Sequence, residues 1–257
     1  MFTEERQKII EQYIIDKGSV SVLELSGRFG VSEVTIRKDL EELQKGEYII
    51  RTHGGAMIKY PSLPRPHFQE LVVKCQEEKL NIARKAMEYI DDGDAIILDG
   101  STTVNELAAL VNASSLKHLT VVTTSITTAQ LFNGNDEISV LLIGGFLNKR
   151  MNTVEGSVTE EQLRGITVDK CFMGMDGIDN VFGFSTTGFM EAAVKRAICQ
   201  ASNRCFVLID HTKFNKKYFS KVFDLNGDVD YVITGRRHKS IDYKKVEEQL
   251  ELIFAEE

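Results

Sequence analysis

The spacing of apolar residues along the chain changes character once. Up to about residue 58 apolar positions recur at helical intervals. Ile9, Ile10, Tyr13 and Ile14 form one stripe. Val22, Leu25 and Phe29 form a second after the cap Ser21, and Ile36, Leu40 and Leu43 form a third after the cap Ser32. The turn Gly30-Val31 separates the last two stripes, and Gly46 ends the third. Tyr48–Arg51 and Ala56–Ile58 are then short strand candidates around the Gly54-Gly55 turn. This pattern predicts three helices and a hairpin.

Beyond residue 73 the pattern becomes helix and strand in alternation. A helix carrying Leu80, Ala83, Met87 and Ile90 precedes the strand Ala95–Gly100 and the helix TVNELAALV. Strand Leu119–Ser125 is followed by helix TAQLF, and ISVLLIGG by a helix near Thr159–Arg164. Strands CFMGMDG and CFVLID flank the helix FMEAAVKRAICQAS, and a late strand YVITG precedes a terminal helix. Near-continuous apolar strands interleaved with helices predict an α/β domain, a mostly parallel sheet covered on both faces. All three prolines fall within Tyr60–Phe68. Proline fixes φ and disfavours helix in the residue before it, so this stretch is expected to be extended. The expected organisation is a small helical and hairpin domain at 1–58, a Pro-containing linker at 59–72 and an α/β domain at 73–257.

Composition narrows the function classes. With 257 residues, 42% hydrophobic and 27% charged, the chain is ordinary for a water-soluble protein of one small and one larger domain. Its longest apolar run, ISVLLIGGF at Ile138–Phe146, is too short to cross a bilayer. The opening MFTEERQKIIEQ is charged where a signal peptide needs an apolar core, so a cytoplasmic location and no membrane partner are expected. Four cysteines, Cys75, Cys171, Cys199 and Cys205, lie scattered without a CxxC pair. Reduced, buried thiols are therefore expected, with no metal and no cofactor. A net charge of -7 does not favour nucleic acid, so a claim of DNA binding rests on local arrangement.

That arrangement is present in the first domain. Two short helices joined by a tight turn, the second capped by Ser32, form a helix-turn-helix pattern. On the third helix Glu33, Thr35, Arg37 and Lys38 lie off the apolar face. A major groove admits one such helix; Arg can make two hydrogen bonds to guanine there, and Thr can touch a thymine methyl or a phosphate. The hairpin carries Arg51, Thr52 and His53, and its glycines permit positive φ and close approach. Taken singly, such cations are more often a solvated face; the combination of cap, turn, polar face and hairpin favours DNA. The segments ERQKIIEQ and SVSVLELSGRFGVSEVTIRKDLEELQKGEYIIRTHGGA resemble the DeoR family of bacterial repressors. The resemblance implies sequence-specific binding to double-stranded operator DNA. Ser21, Ser32, Thr35, Arg37 and Lys38 would belong to the reading unit, with Arg51, His53 and Gly54 in the wing. Lys38 stands where the family often has a second Arg, which points it to phosphate.

In the second domain, chemistry is sought beyond the carboxyl ends of the strands. Four such ends are polar: Asp99-Gly100-Ser101-Thr102-Thr103, Thr123-Thr124-Ser125, Gly144-Gly145 and Asp176-Gly177-Ile178-Asp179. DGSTT opening a helix supplies hydroxyls and free N–H groups for a phosphate, although Ser101 is equally suited to simple capping. Lys79 and Lys213 are candidate counter-charges. EEKLNIARKA, ILDGSTT, VVTTS, LIGG, FMGMDGID and LIDHTKF again resemble the DeoR family, now its effector domain, whose fold is similar to ribose-5-phosphate isomerase and glucosamine-6-phosphate deaminase. The resemblance implies a phosphorylated sugar as effector. Its phosphate would lie near Lys79, Gly100, Ser101, Thr102 and Thr103, with Asp99, Thr124, Ser125, Gly145, Asp176 and Lys213 among the effector-binding residues. An isomerase is the rival reading, since Asp176 and Asp179 resemble that enzyme's paired aspartates. The stretch GFSTTGFMEAAVKR has no lysine before Gly188, where the enzyme has one, and Glu191 is out of register with its catalytic glutamate. A non-enzymatic regulator with no catalytic residue is therefore expected, acting as a homodimer or homotetramer. Effector in the cleft would alter the placement of the DNA-reading heads through the linker.

Overall fold

The computed structural model describes residues 3–17, 19–45, 49–52, 54–58 and 68–256, and the chain forms two compact units, Met1–Arg65 and Pro66–Glu257. Gly46, Tyr48, His53 and the three prolines lie outside the described residues.

The first unit runs α1 (Thr3–Lys17), β1 (Ser19–Ser21), α2 (Val22–Phe29), α3 (Glu33–Leu43), β2 (Ile49–Thr52) and β3 (Gly55–Ile58). The three apolar stripes converge as expected: Ile10, Ile14, Val22, Leu25, Ile36, Leu40 and Ile49 form one core. Strand β1 is absent from the sequence reading, because three residues with one apolar side chain carry no period. It pairs antiparallel with β3, completing a sheet of order β1-β3-β2. Gly55 is needed for that pairing rather than for positive φ. A Cβ at residue 55 would lie 1.9 Å from the Val20 carbonyl oxygen.

The second unit begins with α4 (Phe68–Val72), α5 (Gln76–Met87), β4 (Ala95–Leu98), α6 (Thr102–Ala113), β5 (Leu119–Thr123), α7 (Ile126–Leu131) and β6 (Ile138–Leu142). It continues with β7 (Phe146–Asn148), β8 (Thr153–Glu155), α8 (Ser157–Arg164), β9 (Val168–Met173), β10 (Gly177–Asp179), β11 (Gly183–Thr186) and α9 (Phe189–Gln200). Then come β12 (Ser202–Leu208), β13 (Ser220–Phe223), β14 (Tyr231–Thr234), α10 (Lys244–Glu247) and β15 (Glu251–Phe254). Seven strands form a parallel sheet of order β15-β14-β12-β9-β4-β5-β6.

Successive strand residues face opposite layers. Ile97, Cys171, Met173 and Val207 pack with α8 and α9, whereas Ile96, Leu98, Phe172 and Phe206 pack with α5 and α6. The coverage fails at one edge, where Val140, Leu141 and Leu142 of β6 are 38–45% exposed.

Three expectations are corrected. The terminal helix is a single turn, α10, and the chain ends its sheet with β15, because residues 251–254 pair parallel to β14. The segment 59–72 is not wholly a linker: Phe68–Val72 is helical, and the Phe68 amide donates to the Arg150 carbonyl at 3.1 Å. Two antiparallel accessories, the sheet β10-β11-β13 and the hairpin β7-β8, interrupt the helix–strand alternation. Cys171, Cys199 and Cys205 are buried and Cys75 is half-buried; all four are free thiols.

Candidate functional site

In the first unit the turn geometry fixes the angle between α2 and α3. Gly30 adopts φ 64°, a left-handed conformation that favours glycine, and its amide donates to the Ser26 carbonyl at 3.0 Å. The Ser26 hydroxyl donates to the Val31 carbonyl at 2.7 Å. Ser21 accepts from the Glu24 amide and Ser32 from the Thr35 amide, at 3.1 and 3.2 Å, so both serines are N-caps. The Ser32 and Thr35 hydroxyls are 2.9 Å apart. Arg37 and Lys38 are exposed, and Arg37 reaches Glu33 one turn back at 3.2 Å. Val34, 64% exposed, joins this outward face. Sequence periodicity passed over it as apolar, although its place beside Arg37 and Lys38 was a readable signal.

Behind that face, Arg6 of α1 grips Asp39 of α3 through two bonds, at 2.7 and 3.1 Å, with Gln7 adding a third at 3.1 Å. Both charged residues are buried, and the carboxylate raises the Arg6 guanidinium above its usual range against the opposing effect of burial. Helix α3 is thereby clamped from within. In the wing, Arg51 is half-buried on β2 and Thr52 and Gly54 are exposed. His53, an expected wing contact, lies outside the described residues.

In the second unit a cleft opens at the carboxyl ends of β4 and β9. The chain proceeds from β4 outward to β5 and β6, then returns to place β9 on the other side of β4. The connections therefore leave in opposite directions, and a crevice forms between them. Its lining includes Asp99, Gly100, Ser101, Thr102, Thr103, Thr124, Thr153, Glu155, Gly174, Asp176, Glu191, Lys195 and Lys213, with Leu71, Met151 and Val194 as apolar walls.

Asp99 organises this cleft. Its Oδ1 accepts from the Ser101 amide at 2.8 Å; its Oδ2 accepts from the Gly174 amide at 3.0 Å and from Lys195 Nζ at 2.6 Å. The same ammonium donates to the Gly174 carbonyl at 2.8 Å. Asp99 and Lys195, 2% and 5% exposed, form a paired charge at the cleft floor and fix the ends of β4 and β9 to each other. Two glycines permit the approach. A Cβ at residue 174 would lie 2.4 Å from Ser101 Cβ, and one at residue 100 would lie 2.1 Å from Thr153 Cγ2. Ser101 caps α6 by accepting from the Val104 amide at 3.3 Å, which turns the first amides of a twelve-residue helix toward the cleft.

At the other wall the Thr186 hydroxyl lies 2.8 Å from Asp176 Oδ2 and 2.5 Å from Glu191 Oε2, and Asp176 also accepts from the Thr187 amide at 3.0 Å. Asp179, the supposed partner of Asp176, does not line the cleft. It accepts the Val181 and Phe182 amides in the β10–β11 turn and lies 3.5 Å from Lys217. Burial pushes its carboxyl upward, but these donors outweigh it and leave it below its ordinary range.

Three expected cleft residues are not among the lining residues. Lys79 is 2% exposed and donates to the Leu71 carbonyl at 2.5 Å. Burial lowers its ammonium below the usual lysine range, with Asp210 opposing that shift. Ser125 caps α7 through the Thr128 amide at 3.1 Å. Gly145 packs under α8, where a Cβ would lie 2.0 Å from Thr159 Oγ1. Conversely, Lys195 was missed: in FMEAAVKRAICQ it reads as one cation on an amphipathic helix, and only the fold sets it opposite Asp99.

Two family matches cover most of the chain. Residues 6–61 match the DeoR-like helix-turn-helix domain and residues 74–236 the DeoR C terminal sensor domain. A putative aga operon transcriptional repressor of Escherichia coli O157:H7 is 34% identical over 86% of this chain and 82% of its own. The glycerol-3-phosphate regulon repressor of Escherichia coli K12 is 33% identical over 82% of this chain and 83% of its own. A ribose 5-phosphate isomerase structure from Methanocaldococcus jannaschii superimposes with a TM-score of 0.39 and 19% identity over 54% of each chain.

Proposed function

The chain belongs to the DeoR family of transcriptional regulators, and from that premise we propose that it is an operator-binding repressor of sugar-metabolism genes whose second unit binds a phosphorylated sugar. The observation that carries this reading is the Asp99-organised cleft. It turns the N-terminal amides of α6 and the Ser101, Thr102 and Thr103 side chains toward a space also lined by Lys213. Such a helix end favours an anion. Asp176 and Glu191, with Thr124 and Thr153, supply hydrogen-bonding groups for the hydroxyls of a sugar. The relatives named for the aga operon and the glycerol-3-phosphate regulon support the same class of effector.

In the first unit, Arg37 and Lys38 of α3 enter a major groove, with Val34 against a thymine methyl and Arg51 in the wing contacting backbone. A homodimer presents two such helices to two half-sites. No described helix is long and apolar enough to cross a membrane; we place the protein in the cytoplasm, with the DNA it reads.

The effector acts by binding the operator-competent and operator-incompetent states unequally, since equal binding shifts no equilibrium. The test is a mobility-shift titration of the chain's own promoter region at several salt concentrations, repeated with a panel of sugar phosphates. Sequence-selective, salt-sensitive retention that one sugar phosphate alters is expected. Equal retention of unrelated DNA, or turnover of ribose 5-phosphate at enzymatic rates, would overturn the reading and favour the isomerase.

A further inference from the structure

Apart from the cleft, α5 and the turn after β12 bring together four side chains that no sequence motif joins. Cys75 and Glu78 come from the start of α5, and Asp210 and His211 follow β12. Each offers one ligand atom, and these atoms lie within 4.8 Å of one another. We propose that Cys75, Glu78, Asp210 and His211 form a binding site for a divalent transition-metal ion of the zinc class.

The donor set is one thiol sulfur, one imidazole nitrogen and two carboxylate oxygens. Hard ions such as magnesium and calcium take oxygen ligands, whereas sulfur and imidazole together select zinc and its neighbours. In a tetrahedral site of ordinary bond lengths the ligand atoms lie about 3.3–3.6 Å apart, so an ion would part the Glu78–His211 contact of 2.6 Å and draw the more distant atoms inward.

The Glu78–His211 contact by itself is an ordinary pair: Oε2 lies 2.6 Å from Nδ1, and Oε1 accepts the His211 amide at 2.8 Å. It does not account for the other two groups. Among the described residues the Cys75 thiol has no hydrogen-bond partner. Asp210 is 2% exposed, yet only its Oδ1 is engaged, by the Thr212 amide at 2.9 Å and the Thr212 hydroxyl. Its Oδ2 accepts no hydrogen bond from a described residue and keeps contact with solvent, so it is open to an ion.

The surroundings suit a held ion. Thr212 orients Asp210, and the His211 amide orients Glu78, as outer hydrogen bonds do around metal ligands. Gly235 leaves room for Glu78, since a Cβ there would sit 2.5 Å from its side chain. The His211 ring stacks on His238 with centroids 4.9 Å apart and planes 7° apart. Burial raises the Cys75 thiol above its ordinary range, with Asp210 and Glu78 adding and Lys79 and Lys213 opposing. The metal-free thiol is therefore protonated at neutral pH, and the ion displaces its proton. An ion here would tie the start of α5 to the turn that carries Lys213, a cleft residue.

The full-length chain, reduced and stripped by chelator, is titrated with cobalt(II) as the probe. One equivalent should bind with tetrahedral d–d absorption and a thiolate-to-cobalt charge-transfer band, and zinc should displace it. Cys75→Ser should remove the charge-transfer band while Cys171, Cys199 and Cys205 remain, and His211→Asn should weaken cobalt binding at least tenfold. Circular dichroism of both stripped variants should match the parent; if one fails to fold, the other still reads the site. Absence of stoichiometric cobalt, or a band and affinity unchanged in a folded variant, would overturn the proposal. The readout belongs to the metal, so it stands or falls independently of whether the cleft takes a sugar phosphate.

Discussion

At the scale of single residues, the chemistry of this chain depends on what each polar group already touches. Arg37 shows a group that is engaged but available. Its bond to Glu33 joins two side chains that are 46% and 48% exposed, and such pairs contribute less than about 1 kcal/mol. Operator DNA can displace Glu33 at small cost. Arg37→Ala should weaken the preferred site by about 1–3 kcal/mol if the guanidinium pairs with a base. Competition between the operator and a scrambled duplex measures this, and an equal loss on both assigns Arg37 to phosphate. Asp99 shows the opposite case, since its oxygens are engaged with Ser101, Gly174 and Lys195. These bonds join the ends of β4 and β9 at the cleft floor. Lys195→Met should leave that carboxylate buried without its cation and cost about 3–5 kcal/mol, read as lost hydrogen-exchange protection in β4 and β9. Unchanged protection would show that the pair does not hold the two strand ends. From sequence, Asp99 was visible because DGST follows an apolar strand; Lys195 was not, because its partner is 96 residues away.

At the scale of elements, helices with clear stripes were legible and short paired segments were not. The stripes of α1, α2 and α3 converge on one core because 3.6-residue periodicity fixes which face is apolar before any partner is known. Strand β1 and the closing strand β15 exist only through their neighbours, and three or four residues do not establish a period. The pairing of β1 with β3 gives the wing a specific sensitivity. Gly55→Ala should push β1 off β3, because its Cβ would meet the Val20 carbonyl at 1.9 Å, and should lower both operator affinity and the melting temperature of the first unit. Gly54→Ala is the control for the melting measurement, since its Cβ would meet nothing within 4 Å. Equal melting temperatures of the two variants would show that Gly55 does not hold β1 against β3.

At the scale of the whole molecule, charge is divided between the units. Met1–Arg65 contains ten Lys and Arg against ten Asp and Glu, so the net -7 belongs to Pro66–Glu257. The acidic average therefore says nothing against DNA binding by a first unit of balanced charge that exposes Arg37 and Lys38 on α3. Coupling between the units has a thermodynamic signature. If a sugar phosphate changes operator affinity by some factor, operator must change sugar-phosphate affinity by the same factor. Calorimetric titration of the effector with and without operator duplex measures this, and identical dissociation constants would exclude regulation through the cleft.

The sequence by itself determined the two-unit organisation, the helix-turn-helix with its caps and the parallel α/β sheet, because local periodicity, capping chemistry and strand-end polarity are properties of neighbours in the chain. The tertiary structure decided which polar residues are available. It engaged Asp99 with Lys195, withdrew Lys79 and Asp179 from the cleft, and gathered Cys75, Glu78, Asp210 and His211 into one cluster. Each of these outcomes depends on distances between atoms far apart in sequence, which are set by packing and hydrogen bonding in three dimensions rather than by spacing along the chain.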